Sequence, residues 1–273
     1  MFIFWSLYSC DIESVIEYDV NFTANKPVLN GIISVKGIRV LVSETVPSTE
    51  LNADNQVQNA LISLYADNVF LFDLEKSDDG YYQAPEGFQP NYGTAYRLEA
   101  EIDEYKKITT AEQYLPVKVE LDTAYYSYDN LLKESLQINY AFIDPENQVN
   151  YYSDRFYRFG DGENLDKSNF DEFINPYTAY SDEEFSGCRK MISNFIRNSG
   201  TTQSGQTVGI DSAQIILYSL SPDFYKYLSS VRDYETTNQD PWFEQPAVVY
   251  TNIENGYGIF AAFSADTLTV NAP

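Results

Sequence analysis

Apolar and polar positions alternate with period two along much of this chain, and turn residues cut the runs. SLQINYAFI (135–143) shows the pattern plainly: Leu136, Ile138, Tyr140 and Phe142 fall on one side, Gln137, Asn139 and Ala141 on the other. Such alternation predicts half-buried β-strands. VLNGIISV (28–35) and IRVLVSETV (38–46) are joined by Lys36-Gly37, a two-residue link that suits a hairpin. ALISLYA (60–66) and VFLFDLE (69–75) flank Asp67-Asn68, and the strands at 93–101 and 106–112 flank Asp103-Glu104-Tyr105. Asp79-Gly80 and the segment 144–147 add further turn chemistry. QVNYYSDRFYRF (148–159) and VGIDSAQIILYSLS (208–221) read as long strands. The excursion 160–197 has no clear period, and its SDEEFSGC stretch is expected to hold a short helix or an edge element. Near the end, AVVYTNI and GIFAAFS running into TLTVN read as closing strands around Glu254-Asn255-Gly256.

The period changes once. Ser221 stands as an N-cap, Pro222 fits the first helical position and Asp223 favours the positive end of the helix dipole. Phe224, Tyr227, Leu228 and Val231 then recur at helical spacing, so one helix is predicted near 221–234. The expected fold is mainly β, with two sandwich-like domains. Residues 27–121 form the first and residues 122–273 the second, which carries the helix. Residues 10–26 form a polar tether ahead of both.

Composition sharpens this picture. The 273 residues include 24 tyrosines and 17 phenylalanines, enough bulk for a substantial core and a composition that favours strands. The net charge of −24 argues against nucleic-acid binding, which needs clustered Lys and Arg. There is no histidine, so Ser-His-Asp and Cys-His arrangements cannot form. Two cysteines, Cys10 and Cys188, are too few for a cysteine-bound zinc, and they allow at most one disulfide. No apolar run approaches the roughly 20 residues that span a bilayer.

Candidate chemistry is sparse. Asp161, Glu163 and Asp166, with Asp171 and Glu172, crowd one excursion and are the candidates for a hard cation such as Ca²⁺, which takes about six to eight oxygen ligands. The spacing DGENLDKSNFDE does not match an EF-hand loop, and solvated acidic loops look the same. Tyr151, Tyr152 and Tyr157, near Phe156 and Phe159, are the candidates for a platform that stacks sugars or peptides; the same alternation serves core packing. Paired carboxylates about 5–10 Å apart would run glycoside hydrolysis, but among 41 acidic residues some pair falls at that distance by chance. NGYGIF (255–260) spaces its glycines two apart without a following helix, so Gly256 and Gly258 shape a turn feeding a strand.

The first ten residues, MFIFWSLYSC, carry the most specific signal. An apolar stretch ends in Leu7-Tyr8-Ser9-Cys10, which resembles a bacterial lipobox, although Tyr8 is large for its position and no Lys or Arg precedes the run. Cys10 is then the lipidated first residue of the mature chain, and residues 1–9 are the remnant of a signal peptide. The alternatives are a buried structural cysteine or a disulfide with Cys188.

Several stretches together carry a resemblance. SCDIE, KPVLNGIISVKGIRVLVSETVP, VQNALISLYADN followed by DDGYYQAPEGF and GTAYRLEAE, KITTAEQYLP, and DPWFEQPAVVYTNIENGYGIFAAF resemble the Bacteroidota lipoproteins grouped as domain of unknown function family 4249. The resemblance implies an outer-membrane lipoprotein exposed at the cell surface, often encoded beside a TonB-dependent transporter. It implies that the first half is similar to immunoglobulin-like or carboxypeptidase-regulatory-like sandwiches. No catalytic residue carries over, and only Cys10 matches a functional position. Asp11 and Glu13 resemble surface-export signals, and the triplets at Asp122, Asp211 and Asp266 resemble O-glycosylation sites. The leading expectation is a non-enzymatic surface protein with a binding role, without cofactor, held to the membrane through Cys10 and accessory to a transporter. The alternatives are a carboxylate-based glycoside hydrolase and a structural or adhesive module.

Overall fold

The computed structural model describes residues 25–46, 55–57, 59–128, 135–166, 176–237 and 247–272. Its chain is mainly β, as the alternation predicts. In the first half, β1 (Pro27–Ser34) and β2 (Gly37–Glu44) form the expected hairpin, followed by β3 (Ala60–Ala66), β4 (Val69–Asp73), β5 (Glu75–Lys76), β6 (Tyr82–Gln83), β7 (Tyr96–Ile102) and β8 (Ile108–Thr110). The second half contains β9 (Leu121–Tyr128), β10 (Ser135–Ile143), β11 (Tyr151–Gly160), β12 (Glu163–Asn164), β13 (Tyr180–Ser181) and β14 (Arg189–Arg197). Then come β15 (Ser199–Thr201), β16 (Thr207–Gly209), β17 (Ser212–Leu220), α1 (Pro222–Thr237), β18 (Ile253–Glu254) and β19 (Tyr257–Asn271). SDEEFSGC forms turns that lead into β14. The turn residues behave as their chemistry requires: Asp67 and Asn68 both take positive φ (49° and 64°), which lets the β3–β4 connection follow the strand twist.

β19 organises the molecule. Residues 257–262 run parallel to β1, and residues 263–271 run antiparallel to β17. One sheet therefore continues through both halves in the order β12-β11-β17-β19-β1-β2-β6-β5. Against its first part packs the sheet β18-β8-β7-β3-β4, enclosing a core of Leu29, Val40, Ile62, Leu64, Leu98 and Phe260. Against its second part packs β14-β10-β9, enclosing Ile138, Tyr140, Phe142, Tyr152, Ile215 and Leu217. The segment expected as the first domain (27–121) takes Ile253, Phe260 and Ala262 of its core from the far end of the chain, while Val119 and Leu121 already belong to the second core.

The helix covers the other face of β19. Phe224 and Leu228 bury against Leu220, Ile259 and Ala261, each such side chain contributing about 1.5–3 kcal/mol by leaving water. With Phe260 and Ala262 turned to the sandwich and Ile259 and Ala261 to the helix, GIFAAF is buried on both faces and reads as a continuous apolar run. Ser221 caps the helix by accepting from the Phe224 N–H at 3.4 Å, and α1 runs to Thr237, three residues past the predicted end. Asp223 ties this end to the first half, accepting from Gln113 Nε2 (2.9 Å), the Tyr250 hydroxyl (2.9 Å) and Asn252 Nδ2 (3.1 Å).

Gly258 lets β19 lie against β1. Its φ is +101°, and a Cβ there would stand 2.2 Å from the Leu29 carbonyl oxygen. Gly258→Ala must strain the backbone and push the two strands apart, so a loss of about 3 kcal/mol or more is expected. Thermal unfolding checks it; a variant melting with the wild type would contradict this account of the β1–β19 contact.

Candidate functional site

Strand parity builds an open groove on the outer face of the long sheet. On β17, Ile215 and Leu217 point into the second core, so Ile216 and Tyr218 point out. On β19, Leu268 and Val270 pack inward, leaving Phe263, Ala265 and Thr267 outside. On β11, Phe156 packs inward and Tyr157 outward. The facing wall comes from the first half: the β1–β2 turn and residues 83–88. Together they enclose a groove of about 640 Å³ whose key lining residues are Ile32, Arg39, Phe88, Tyr157, Tyr218 and Phe263. That volume suits a small organic ligand.

The walls are anchored. Phe88 sits edge-on to Phe72 and Tyr96, with ring centroids 4.9 and 6.4 Å away, which fixes residues 83–88 to the first core. Tyr218 packs edge-on to Phe263 at 5.4 Å. The Arg155 guanidinium lies over the Tyr157 ring at 4.9 Å, and Arg39 lies over the Tyr81 ring at 4.1 Å while binding Asp79 at 2.9 Å. Burial pushes the Tyr218 phenol up, Tyr157 adds to the rise, and Arg155 opposes it. The phenol stays neutral at physiological pH, able to donate and accept. Flat aromatic faces beside guanidinium groups suit a ligand with an apolar ring or face and hydrogen-bond acceptors at its edge.

Of the three sequence-predicted aromatic candidates, Tyr157 alone lines the groove. Tyr151 is on the same face of β11 but stacks on Tyr225 of α1, ring centroids 4.4 Å apart. Tyr152 has the opposite parity, is fully buried, and donates its hydroxyl to Asp144 Oδ1 at 2.5 Å; it packs the core and offers no binding surface. The acidic candidates are not brought together. The Asp161 N–H donates to Asp211, Glu163 accepts from the Gln203 N–H at 2.8 Å, and Asp166 is held by the Arg158 guanidinium and backbone N–H. Among the described residues no group of three or more Asp, Glu, Cys or His is placed to hold a metal. Cys10, Asp171 and Glu172 lie outside the described residues. Cys188 is an exposed thiol.

The residues that sequence reasoning missed are Ile32, Tyr218 and Phe263. They lie on three strands far apart in sequence, and only the β17–β19–β1 pairing brings them together. Each is an aromatic or aliphatic residue at the outward parity of a strand whose inward positions fill a core. No helix among the described residues is long and apolar enough to cross a membrane.

The family model described as domain of unknown function (DUF4249) matches residues 13–269, which is most of the chain, and the chain belongs to that family. No curated protein matches it.

Proposed function

We propose that this chain, a member of the DUF4249 family, is a non-enzymatic binding protein of the cell envelope. In this reading lipid on Cys10 holds it to the outer membrane at the cell surface, where it serves a TonB-dependent transporter. The observation that carries the binding role is the groove of about 640 Å³ lined by Tyr157, Tyr218 and Phe263. A sheet face with aromatic walls suits the holding of a ligand. The anchor rests on the lipobox-like Leu7-Tyr8-Ser9-Cys10, followed by an acidic tether.

The ligand class that fits is a sugar or a peptide that lays a flat face on the tyrosines. Wild-type protein is expected to retain members of a glycan or peptide array. Tyr157→Ala with Tyr218→Ala is expected to weaken that retention about tenfold or more, since buried aromatic anchors carry such binding energy. Unchanged retention by a folded double variant would remove the groove from the reading. Feeding cells an alkyne fatty acid tests the anchor: label on the wild type and none on Cys10→Ser is expected. Stable co-purification with an adjacent transporter supports the accessory role, and its failure leaves a surface spacer.

A further inference from the structure

The sheet β14-β10-β9 turns one face to the second core and the other outward. Strand register builds the outer face row by row. Ser127, Gln137 and Phe195 form one row, Tyr125, Asn139 and Ser193 the next, and Thr123, Ala141 and Met191 the third. The solvated face of an antiparallel sheet ordinarily carries polar side chains. Here Tyr125, Met191 and Phe195 are 45%, 50% and 55% exposed. They stand on the two outer strands, while β10 between them carries Gln137, Asn139 and Ala141. The side chains of Asn139 and Ala141 are shorter than those of their neighbours, so a shallow trough runs along β10. Tyr125 is on one side of it, and Met191 and Phe195 are on the other.

The floor of the trough is a polar ladder. Asn139 Nδ2 donates to Ser127 Oγ at 2.8 Å, Ser127 Oγ donates to Gln137 Oε1 at 2.8 Å, and Ser193 Oγ donates to Asn139 Oδ1 at 2.6 Å. The ladder fixes both amides, and Gln137 Nε2 is left as a donor with no acceptor among the described residues. Charge is confined to the ends: Arg189 and Asp122 bind each other at 2.8 Å beyond the third row, and Arg197 lies beyond the first. A chain of net charge −24 thus presents a face whose middle has no charge. A charged partner finds no counter-ion there. A peptide strand finds no backbone to pair with, because β9 and β14 take both edges of β10. A sugar chain needs neither, since it lays the apolar faces of its rings on aromatic side chains and turns its hydroxyls to amides. Strand spacing and rise put the Tyr125 and Phe195 Cα atoms about 12 Å apart on the diagonal, about the span of two sugar rings in an extended chain.

We propose that this outer face binds a neutral, extended polysaccharide, stacked on Tyr125 and Phe195 and hydrogen-bonded to Gln137. It shares no residue with the groove beside Tyr157 and Tyr218. Titration calorimetry with cellohexaose, xylohexaose and mannohexaose tests it, on the wild type and on the full chain carrying Tyr157→Ala and Tyr218→Ala, where groove binding is removed. At least one of the three is expected to bind both proteins. Adding Tyr125→Ala or Phe195→Ala is expected to weaken it about tenfold or more, and adding Gln137→Ala about fivefold, each variant folded by circular dichroism. No binding by any of the three overturns the proposal, and a dimer in sedimentation that Phe195→Ala dissolves then makes the face a contact between two copies. Binding lost with Tyr157→Ala and Tyr218→Ala alone belongs to the groove and overturns it too. So does binding unchanged by Tyr125→Ala with Phe195→Ala, or hexagalacturonate held more tightly than all three neutral sugars, which assigns the face to an anion drawn by Arg197.

Discussion

Asp144→Ala is expected to cost about 3–5 kcal/mol, the penalty for leaving several buried donors without an acceptor. Asp144 is 1% exposed, and its carboxylate is used on both oxygens. Oδ1 accepts from the Tyr152 hydroxyl at 2.5 Å and from Asn150 Nδ2 at 3.1 Å, and Oδ2 accepts from the Gly187 N–H at 2.8 Å. Alanine strands a phenol in the middle of the second core and a backbone N–H in the turn before β14. Asp144→Asn keeps the shape and one acceptor, but its amide N–H must face a donor on one side, so about half the loss is expected. Urea denaturation of the three proteins measures this. An alanine variant within about 1 kcal/mol of the wild type would show that water replaces the carboxylate at little cost.

The strand before Asp144, β10, begins the account of what could be read from the residues and what could not. Period two along SLQINYAFI and at the β1–β2 hairpin located strands because the apolar positions of each fill a core, and the Ser221-Pro222-Asp223 signal located the helix. β14 stayed hidden because RKMISNFIR pairs its apolar residues: Met191 and Phe195 face solvent on an edge strand while Ile192 and Ile196 pack inward. The parallel join of β1 to β19 spans more than two hundred residues and leaves no local trace beyond a doubly apolar GIFAAF. Parity within YYSDRFY sets Tyr151 and Tyr157 on the face opposite Tyr152, but the residues alone do not say which face is inward, so the three stood together as candidates. The groove was not readable, because Ile32, Tyr218 and Phe263 meet only through strand order.

Asp154→Asn is expected to stabilise the protein at neutral pH. Burial pushes the Asp154 carboxyl from 3.8 up to about 6, with the nearby Tyr140 hydroxyl opposing the rise. The folded state therefore holds this proton more tightly than the unfolded state does. Its stability contribution is fully present below about pH 4 and is lost as pH rises through about 6. At pH 7.5 the ionised carboxylate then costs the fold about 2–3 kcal/mol, which an amide does not. The variant should unfold at higher denaturant than the wild type at pH 7.5, and the gap should close near pH 4. A variant less stable than the wild type at pH 7.5 would mean that the chain itself pairs Asp154, through the Tyr140 hydroxyl or through Lys190 or Arg232, which line a cavity with it.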